Sequence, residues 1–521
     1  MTHWSKKIAL AAMIAALPQT APAQTLKAVM HSDIKILDPI WVSSVITRAY
    51  SYMIYDTLFA MDEHGEIKPQ MVDKYDVSAD KLIYTFTLRD GLVWHDGLPV
   101  KAEDCIASIK RWAARDPLGQ RIAASTVAMT ANDEKTFTIT LKSPISLLLF
   151  GLAKPAGLVP FMMPKRVADT DAYKQITDPT GSGPFVFKKD EWKPGDKVVF
   201  AKFDKYKPRS EAASGYAGGK VVKVNRVEWI AVADPQQAVN ALLQNEVDYL
   251  EGPPQDLLPL LKDSKGVKIF RVNMLGGQYS FRPNHLQKPF NDLKIRQAAA
   301  YAFNQQDFLD AAIGDPDNYK VCKSYFICGT PLASEKGMEG LLESNFEKAR
   351  SLLKEANYDG TPVVLLHSTD VPQLANLAPV AKSLLEKAGF KVDMQSTDWQ
   401  TVLGRLQKRD AVSAGGWSGY LTLFGSLDLL NPVINGFMAA NCEKAMQGWP
   451  CDAEIEKLRD DFANEPDPAK QRAIAEAFQI REREVVTHIP LGQIHTVSAA
   501  RTTIGGTFKA AGTVFWNLEK K

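Results

Sequence analysis

From residue 361 onward the chain alternates strand, helix and strand patterns: Pro362 to Leu366, Ala375 to Ala388 and Lys391 to Gln395, with a second helix over Trp399 to Gln407. This order constrains the fold more than any other feature. Two short apolar strands joined through a helix lie side by side in the same direction, linked by a right-handed crossover. The alternation therefore predicts an α/β chain with a parallel sheet. At 521 residues the chain also exceeds what one hydrophobic core supports, so two or more lobes are expected.

The N-terminal half reads differently. Thr25 to Met30 forms a first strand pattern, ending near Ser32 and Asp33. Lys81 to Leu88 and Thr136 to Leu141 alternate as half-buried strands, and Asp90-Gly91 and Asp96-Gly97 mark tight turns between them. Lys101 to Asp104 opens a helix carrying Ile106, Ile109 and Trp112. Together these predict a small mixed subdomain. Thr180-Gly-Ser-Gly-Pro-Phe185 reads as a Gly-rich turn whose glycines allow positive φ. Over Lys288 to Phe308, Asn291 and Asp292 can cap a helix whose apolar stripe is Ile295, Ala298, Ala299, Ala302 and Phe303. A long polar helical pattern spans Asp452 to Thr487.

Residues 1 to 23 have the form of a cleaved secretory leader: Lys6 and Lys7, an apolar run from Ile8 to Leu17, then Ala21-Pro22-Ala23 before Gln24. The run is about half the length that spans a bilayer. Formal net charge is +2 and falls to zero once Lys6 and Lys7 leave, so no nucleic-acid or anionic-membrane footprint is expected. Export makes the five cysteines readable. Cys322 with Cys328 and Cys442 with Cys451 close short loops flanked by turn formers, which favours two local disulfides. Metal ligation by these four is the competing reading, and neither pair has zinc-site spacing. Cys105 remains as a buried helical thiol.

Several segments in order resemble the peptide and nickel type, family 5, of periplasmic solute-binding proteins that serve ABC importers. They are Leu37-Asp38-Pro39, the run Leu88 to Asp104, Thr180 to Phe185, the Pro289-Phe290 and Ile295-Arg296-Gln297-Ala298 signature, Phe346 to Tyr358, and Trp417. The resemblance covers essentially the whole mature chain. It implies a two-lobe periplasmic-binding-protein fold of type II, α/β, with an extra subdomain in the first lobe. The expected partition is 24–62 with 181–285 and 496–521 in lobe I, 63–180 as the extra subdomain, and 286–495 in lobe II. It further implies a periplasmic monomer that closes on a small organic solute, peptide-like or other, and hands it to an inner-membrane permease with its ATPase subunits. Chemosensing or a chaperone-like role without transport is the rival reading. No cofactor is implied.

For the site, ligands of open parallel sheets lie beyond the carboxyl ends of strands. That rule points to Ser32 and Asp33, Ser368 to Asp370, Thr397 to Trp399, and the segment after Gly415-Gly416. In dipeptide and oligopeptide binders of the family, a Trp is followed three residues later by an Asp that pairs with the ligand's α-ammonium. Here Trp417-Ser418-Gly419-Tyr420 keeps the Trp and replaces the acid by Tyr. A buried ammonium deprived of its carboxylate loses about 3–5 kcal/mol, so a free peptide N-terminus is disfavoured unless Asp428 substitutes. The expected ligand contacts are Trp417, Ser418, Tyr420, Asp428, Ser43, Ser44 and Tyr279, with simple core packing as the alternative for Trp417 and Tyr420. Histidines are scattered, so no metal cluster is expected. Hydrolase chemistry is disfavoured: Gly416-Trp-Ser-Gly-Tyr420 lacks the final glycine of a nucleophile elbow, and no His-Glu-x-x-His occurs.

Overall fold

The computed structural model describes residues 24–521 except 274, 435, 466, 507–509 and 511. The leader expected over residues 1–23 lies outside the described residues. Two sheets organise the rest. The first has seven strands in the order Val267–Phe270, Ser498–Arg501, Tyr249–Glu251, Thr25–Val29, Arg226–Ile230, Lys197–Lys202 and Phe185–Phe187. Its central strand, Thr25–Val29, runs parallel to both neighbours, and the flanking strands are antiparallel. The second has six strands in the order Tyr319–Lys320, Ile489–Ile494, Gly277–Pro283, Gly419–Gly425, Val363–Ser368 and Val392–Thr397.

The strand, helix, strand alternation at 361–397 folds as its order dictates. Val363–Ser368 pairs in parallel with Val392–Thr397 across the helix Leu377–Lys387, and with Gly419–Gly425 on its other side. The sheet as a whole is mixed, however. Gly277–Pro283 and Ile489–Ile494 are antiparallel because one carries the chain into this lobe and the other carries it out. The chain thus crosses between lobes twice, between Phe270 and Gly277 and between Ile494 and Ser498. The expected boundary at 285 is corrected by this pairing: residues 277–283 belong to the second sheet. No helix accompanies that strand, so the alternation signal did not reach it.

A four-stranded antiparallel sheet, Val72–Val77, Ile83–Leu88, Thr136–Leu141 and Thr126–Ala131, packs against the helix Ala102–Ala113. The Leu37-Asp38-Pro39 landmark ties this region to the first lobe. Asp38 accepts from Arg111 Nη2 at 2.6 Å, from Ile176 N at 3.0 Å and from Ile40 N at 2.9 Å, and both partners of the ion pair are buried. The turn at 181–183 needs glycine for a different reason from the one expected. Neither Gly181 nor Gly183 has positive φ; a Cβ on Gly181 would lie 1.7 Å from the Ile54 carbonyl oxygen. Close backbone approach selects the residue.

The 288–308 stretch begins as predicted, with Asp292 accepting from Lys294 N and Ile295 N at the start of the helix Leu293–Ala302. Phe303 is extended and Asn304 caps a second helix, Gln305–Ala312. The long 452–487 pattern likewise resolves into Ala453–Asn464 and Pro468–Val485, because Pro468 has no N–H and sits at the first position of a new helix capped by Asp467. Cys322 with Cys328 and Cys442 with Cys451 stand at disulfide geometry, with Cα separations of 6.0 and 4.1 Å. Cys105 is a buried thiol on the helix Ala102–Ala113. Among the described residues no helix is long and apolar enough to cross a membrane.

One apolar cluster spans the first sheet and the four-stranded sheet, then continues to Leu429, Val433, Met438, Ile455, Phe462 and Phe478 of the second half. Arg121 also meets Glu456 at 3.2 Å across this junction. The lobes are therefore in contact over their facing surfaces.

Candidate functional site: the cleft between the lobes

Five strands point their carboxyl ends at one cavity. Thr25–Val29, Arg226–Ile230 and Tyr249–Glu251 arrive from the first sheet, and Val363–Ser368 and Val392–Thr397 from the second. The cavity measures about 390 Å³ and is lined by His31, Asp33, Trp229 and Glu251 on one side and by Asp370 and Trp399 on the other. The strand-end positions Ser32, Asp33, Asp370 and Trp399, to which the sheet rule points, all line it.

Its carboxylates are held by their neighbours. Glu251 accepts from His31 N at 3.2 Å, meets His31 Nδ1 at 2.6 Å and accepts from Thr513 Oγ1. Burial opposes ionisation of Glu251, yet the charge and hydrogen bonds of His31 and the Thr513 hydroxyl outweigh it and hold the carboxyl below its ordinary range. Asp33 accepts from Ile34 N at 2.8 Å and Gly195 N at 2.9 Å. Asp370 accepts from Trp399 N at 2.7 Å and Ser368 Oγ at 3.1 Å. These bonds fix the loops at the strand ends, so the wall is set before any ligand arrives. The Trp399 ring and the side chains of Gln373 and Gln400, on the same wall, supply an aromatic face and amides for a polar organic molecule.

A second polar group bridges the lobes. Asp428, in the turn after the strand Gly419–Gly425, lies 3.8 Å from Arg48 Nη1 on the first-lobe helix Val45–Ile54. Burial drives the Asp428 carboxyl up, while Arg48 and Lys154 pull against it. Lys154 is itself bonded to Asp116. Tyr52, on the Arg48 helix, stacks on Tyr216 with centroids 4.1 Å apart and planes 6° from parallel.

The sequence-predicted contacts fall into separate groups. Trp417 and Tyr420 come together edge to face at 5.3 Å, but they pack with Leu366, Val402, Leu406, Phe437 and Trp449 inside the second lobe, with 0% and 4% exposure. The Tyr420 hydroxyl is pushed up to about 12 by burial, with neighbouring Arg282 opposing. Ser418 donates to Lys288 O at 3.0 Å and accepts from Val364 N at 3.1 Å, fastening two strands and a loop. Tyr279 is buried in the second-lobe core. Ser43 and Ser44 are half-buried immediately before the helix that carries Arg48, and Asp428 meets that helix from the other lobe. Arg48, which is not among the expected contacts, is the only charged residue of Val45–Ile54 and stands one turn beyond Ser44. The His31, Glu251 and Thr513 linkage joins distant parts of the chain and has no local signal. Among the described residues no group of three or more His, Cys, Asp or Glu side chains stands close enough to hold a metal ion.

Two α/β lobes, two crossings and a cavity at facing strand ends define a two-lobe solute-binding protein. The family described as bacterial extracellular solute-binding proteins, family 5 middle, matches residues 66–429. The chain is 37% identical over 491 residues, 94% of its own length and 92% of the relative's, to a probable peptide ABC transporter periplasmic-binding protein, y4tO, of Sinorhizobium fredii. It is 28% identical to the glutathione-binding protein GsiB of Salmonella paratyphi A, over 86% of this chain and 83% of the relative. Among solved structures, the Helicobacter pylori periplasmic binding protein DppA in complex with the peptide STSA aligns with a TM-score of 0.79 at 19% identity, covering 95% of this chain and 98% of that one. The Agrobacterium protein AgaA in complex with agropinic acid aligns at 0.77 and 22%, covering 95% and 99%. The chain belongs to family 5 of the bacterial extracellular solute-binding proteins.

Proposed function

We propose that the mature chain, beginning at Gln24 after removal of its leader, is the periplasmic solute-binding component of an ABC importer, working as a monomer that captures a small organic solute, peptide-like or related. The observation that carries this reading is the convergence of strand ends from both lobes on one cavity, in a chain that belongs to this family. The two crossings, 270–277 and 494–498, form the hinge. Opening at the hinge exposes the His31, Glu251 and Trp399 walls, and closure brings them together over the solute. The solute shifts this equilibrium only by as much as it prefers the closed form. The closed shape is what an inner-membrane permease with its ATPase subunits recognises. In this reading the chain binds its solute without chemical change.

Thermal-shift screening of the mature protein against peptides, sugars, opines and aromatic compounds tests the reading. One chemical class should raise the melting temperature with a 1:1 stoichiometry and be recovered unchanged. Turnover of any bound compound, or the absence of any binder from all four classes, contradicts it.

A further inference from the structure

We infer that Arg48 is the ligand's anion anchor, and that the captured solute carries a carboxylate. This inference rests on the solute-binding reading above and narrows the solute class. Its starting point is a guanidinium held between the lobes without a hydrogen-bonding acceptor. The Arg48 side chain keeps only 11% exposure, and among the described residues it makes no side-chain hydrogen bond; its one charged neighbour, Asp428, is 3.8 Å away and beyond hydrogen-bonding distance.

Other buried arginines behave differently. Arg111 donates to Asp38 and to the carbonyls of Thr170, Asp171 and Lys174. Arg282 donates to three carbonyls, Arg296 to two, and Arg459 to the Pro432 carbonyl and Glu456. Those arginines are structural ties. Arg48 offers a planar fork of five donors that no side chain or carbonyl among the described residues engages at hydrogen-bonding distance, and that fork fits a carboxylate in two parallel hydrogen bonds.

The surroundings favour a single carboxylate over a more highly charged anion. Asp428 faces the same guanidinium and the nearby Lys154 charge is already met by Asp116, so a second negative charge on the ligand would be set against Asp428. Tyr52, one turn further along the Arg48 helix, stacks on Tyr216 and both rings are buried, so the helix that carries the guanidinium is firmly seated in the first lobe. Arg48 belongs to the first lobe and Asp428 to the second. A carboxylate docked on Arg48 in the open form is therefore enclosed when Asp428 swings in.

The test is a double-mutant cycle on whichever compounds bind in the screen, each prepared as the free acid and as the primary amide. In the wild type, amidation should weaken binding about a hundredfold. In Arg48→Ala the acid should lose a similar factor, while amidation then costs less than about threefold. Arg48→Lys, which keeps charge without the fork, should fall between. Amides that bind the wild type as tightly as acids, or an amidation penalty that persists in Arg48→Ala, overturn the anchor while leaving the solute-binding reading intact. A screen with no binder overturns both. Should Arg48→Ala fail to fold, the acid and amide comparison in the wild type and in Arg48→Lys decides the matter alone.

Discussion

Glu482 gives the structure its sharpest pH dependence. Its carboxyl is fully buried at the end of the helix Pro468–Val485, with Thr487 Oγ1 donating to Oε2, Oε1 unpartnered among the described residues, and Arg282, Arg459, Glu456 and His488 around it. Burial raises it from 4.5 to about 8, against the pull of the Thr487 hydroxyl and the two arginines. A carboxyl raised on folding is protonated in the native state and ionised in the unfolded chain, so its stabilising contribution is complete below pH 4.5 and is lost as pH climbs to 8. His285 and His488 act in the opposite sense: burial holds both well below 6.5, so their contribution is complete above that pH and lost only on acidification. Between pH 6.5 and 8 Glu482 therefore dominates the slope. At 1.36 kcal/mol per unit, wild-type stability should fall by about 2 kcal/mol across this interval. Glu482→Gln keeps an acceptor for Thr487 and cannot ionise, so its urea-denaturation free energy should stay flat over the same range within about 0.5 kcal/mol and exceed wild type at pH 8. A variant slope equal to that of wild type would refute the assignment of a neutral buried Glu482.

Three other outcomes follow from the geometry. Asp38→Asn leaves Arg111 buried without its countercharge and should cost about 3–5 kcal/mol in urea unfolding, loosening the four-stranded sheet first in hydrogen exchange. Gly181→Ala drives a methyl into the Ile54 carbonyl and should destabilise by about 1–3 kcal/mol or more, whereas the same change at exposed, unobstructed Gly404, in a helix, should stabilise slightly. Selective reduction of Cys322–Cys328 should lower stability by about 2–3 kcal/mol without altering the secondary structure seen by circular dichroism.

What the sequence conveyed was mostly local. The 361–407 alternation, the Asp292 cap and the paired cysteines rest on spacing within a few residues, and the structure follows them. The lobe of strand Gly277–Pro283 is not legible in the sequence, because its partners are 136 and more residues away and it has no crossover helix to declare its direction. The 181–183 glycines were read as a φ requirement because a sequence shows the residue and not the carbonyl of Ile54 that crowds it. The candidate site divides in the same way. A general rule about strand ends reaches Asp33, Asp370 and Trp399, which line the cavity. The same rule also points to the segment after Gly415-Gly416, but that segment precedes the strand Gly419–Gly425 and so stands at its amino end, and Trp417 and Tyr420, to which the family resemblance also points, pack inside the second lobe. Arg48 went unnoticed because an arginine becomes informative only when every oxygen around it has been counted.

The central claim is that two lobes close over a solute held at their facing strand ends. Small-angle X-ray scattering of ligand-stripped protein, before and after addition of one equivalent of a compound found by the screen, measures this directly. The account predicts a smaller radius of gyration on binding, with the bound curve matching an arrangement whose lobes are in contact over their facing surfaces. Stoichiometric binding with no change in the scattering curve would contradict it.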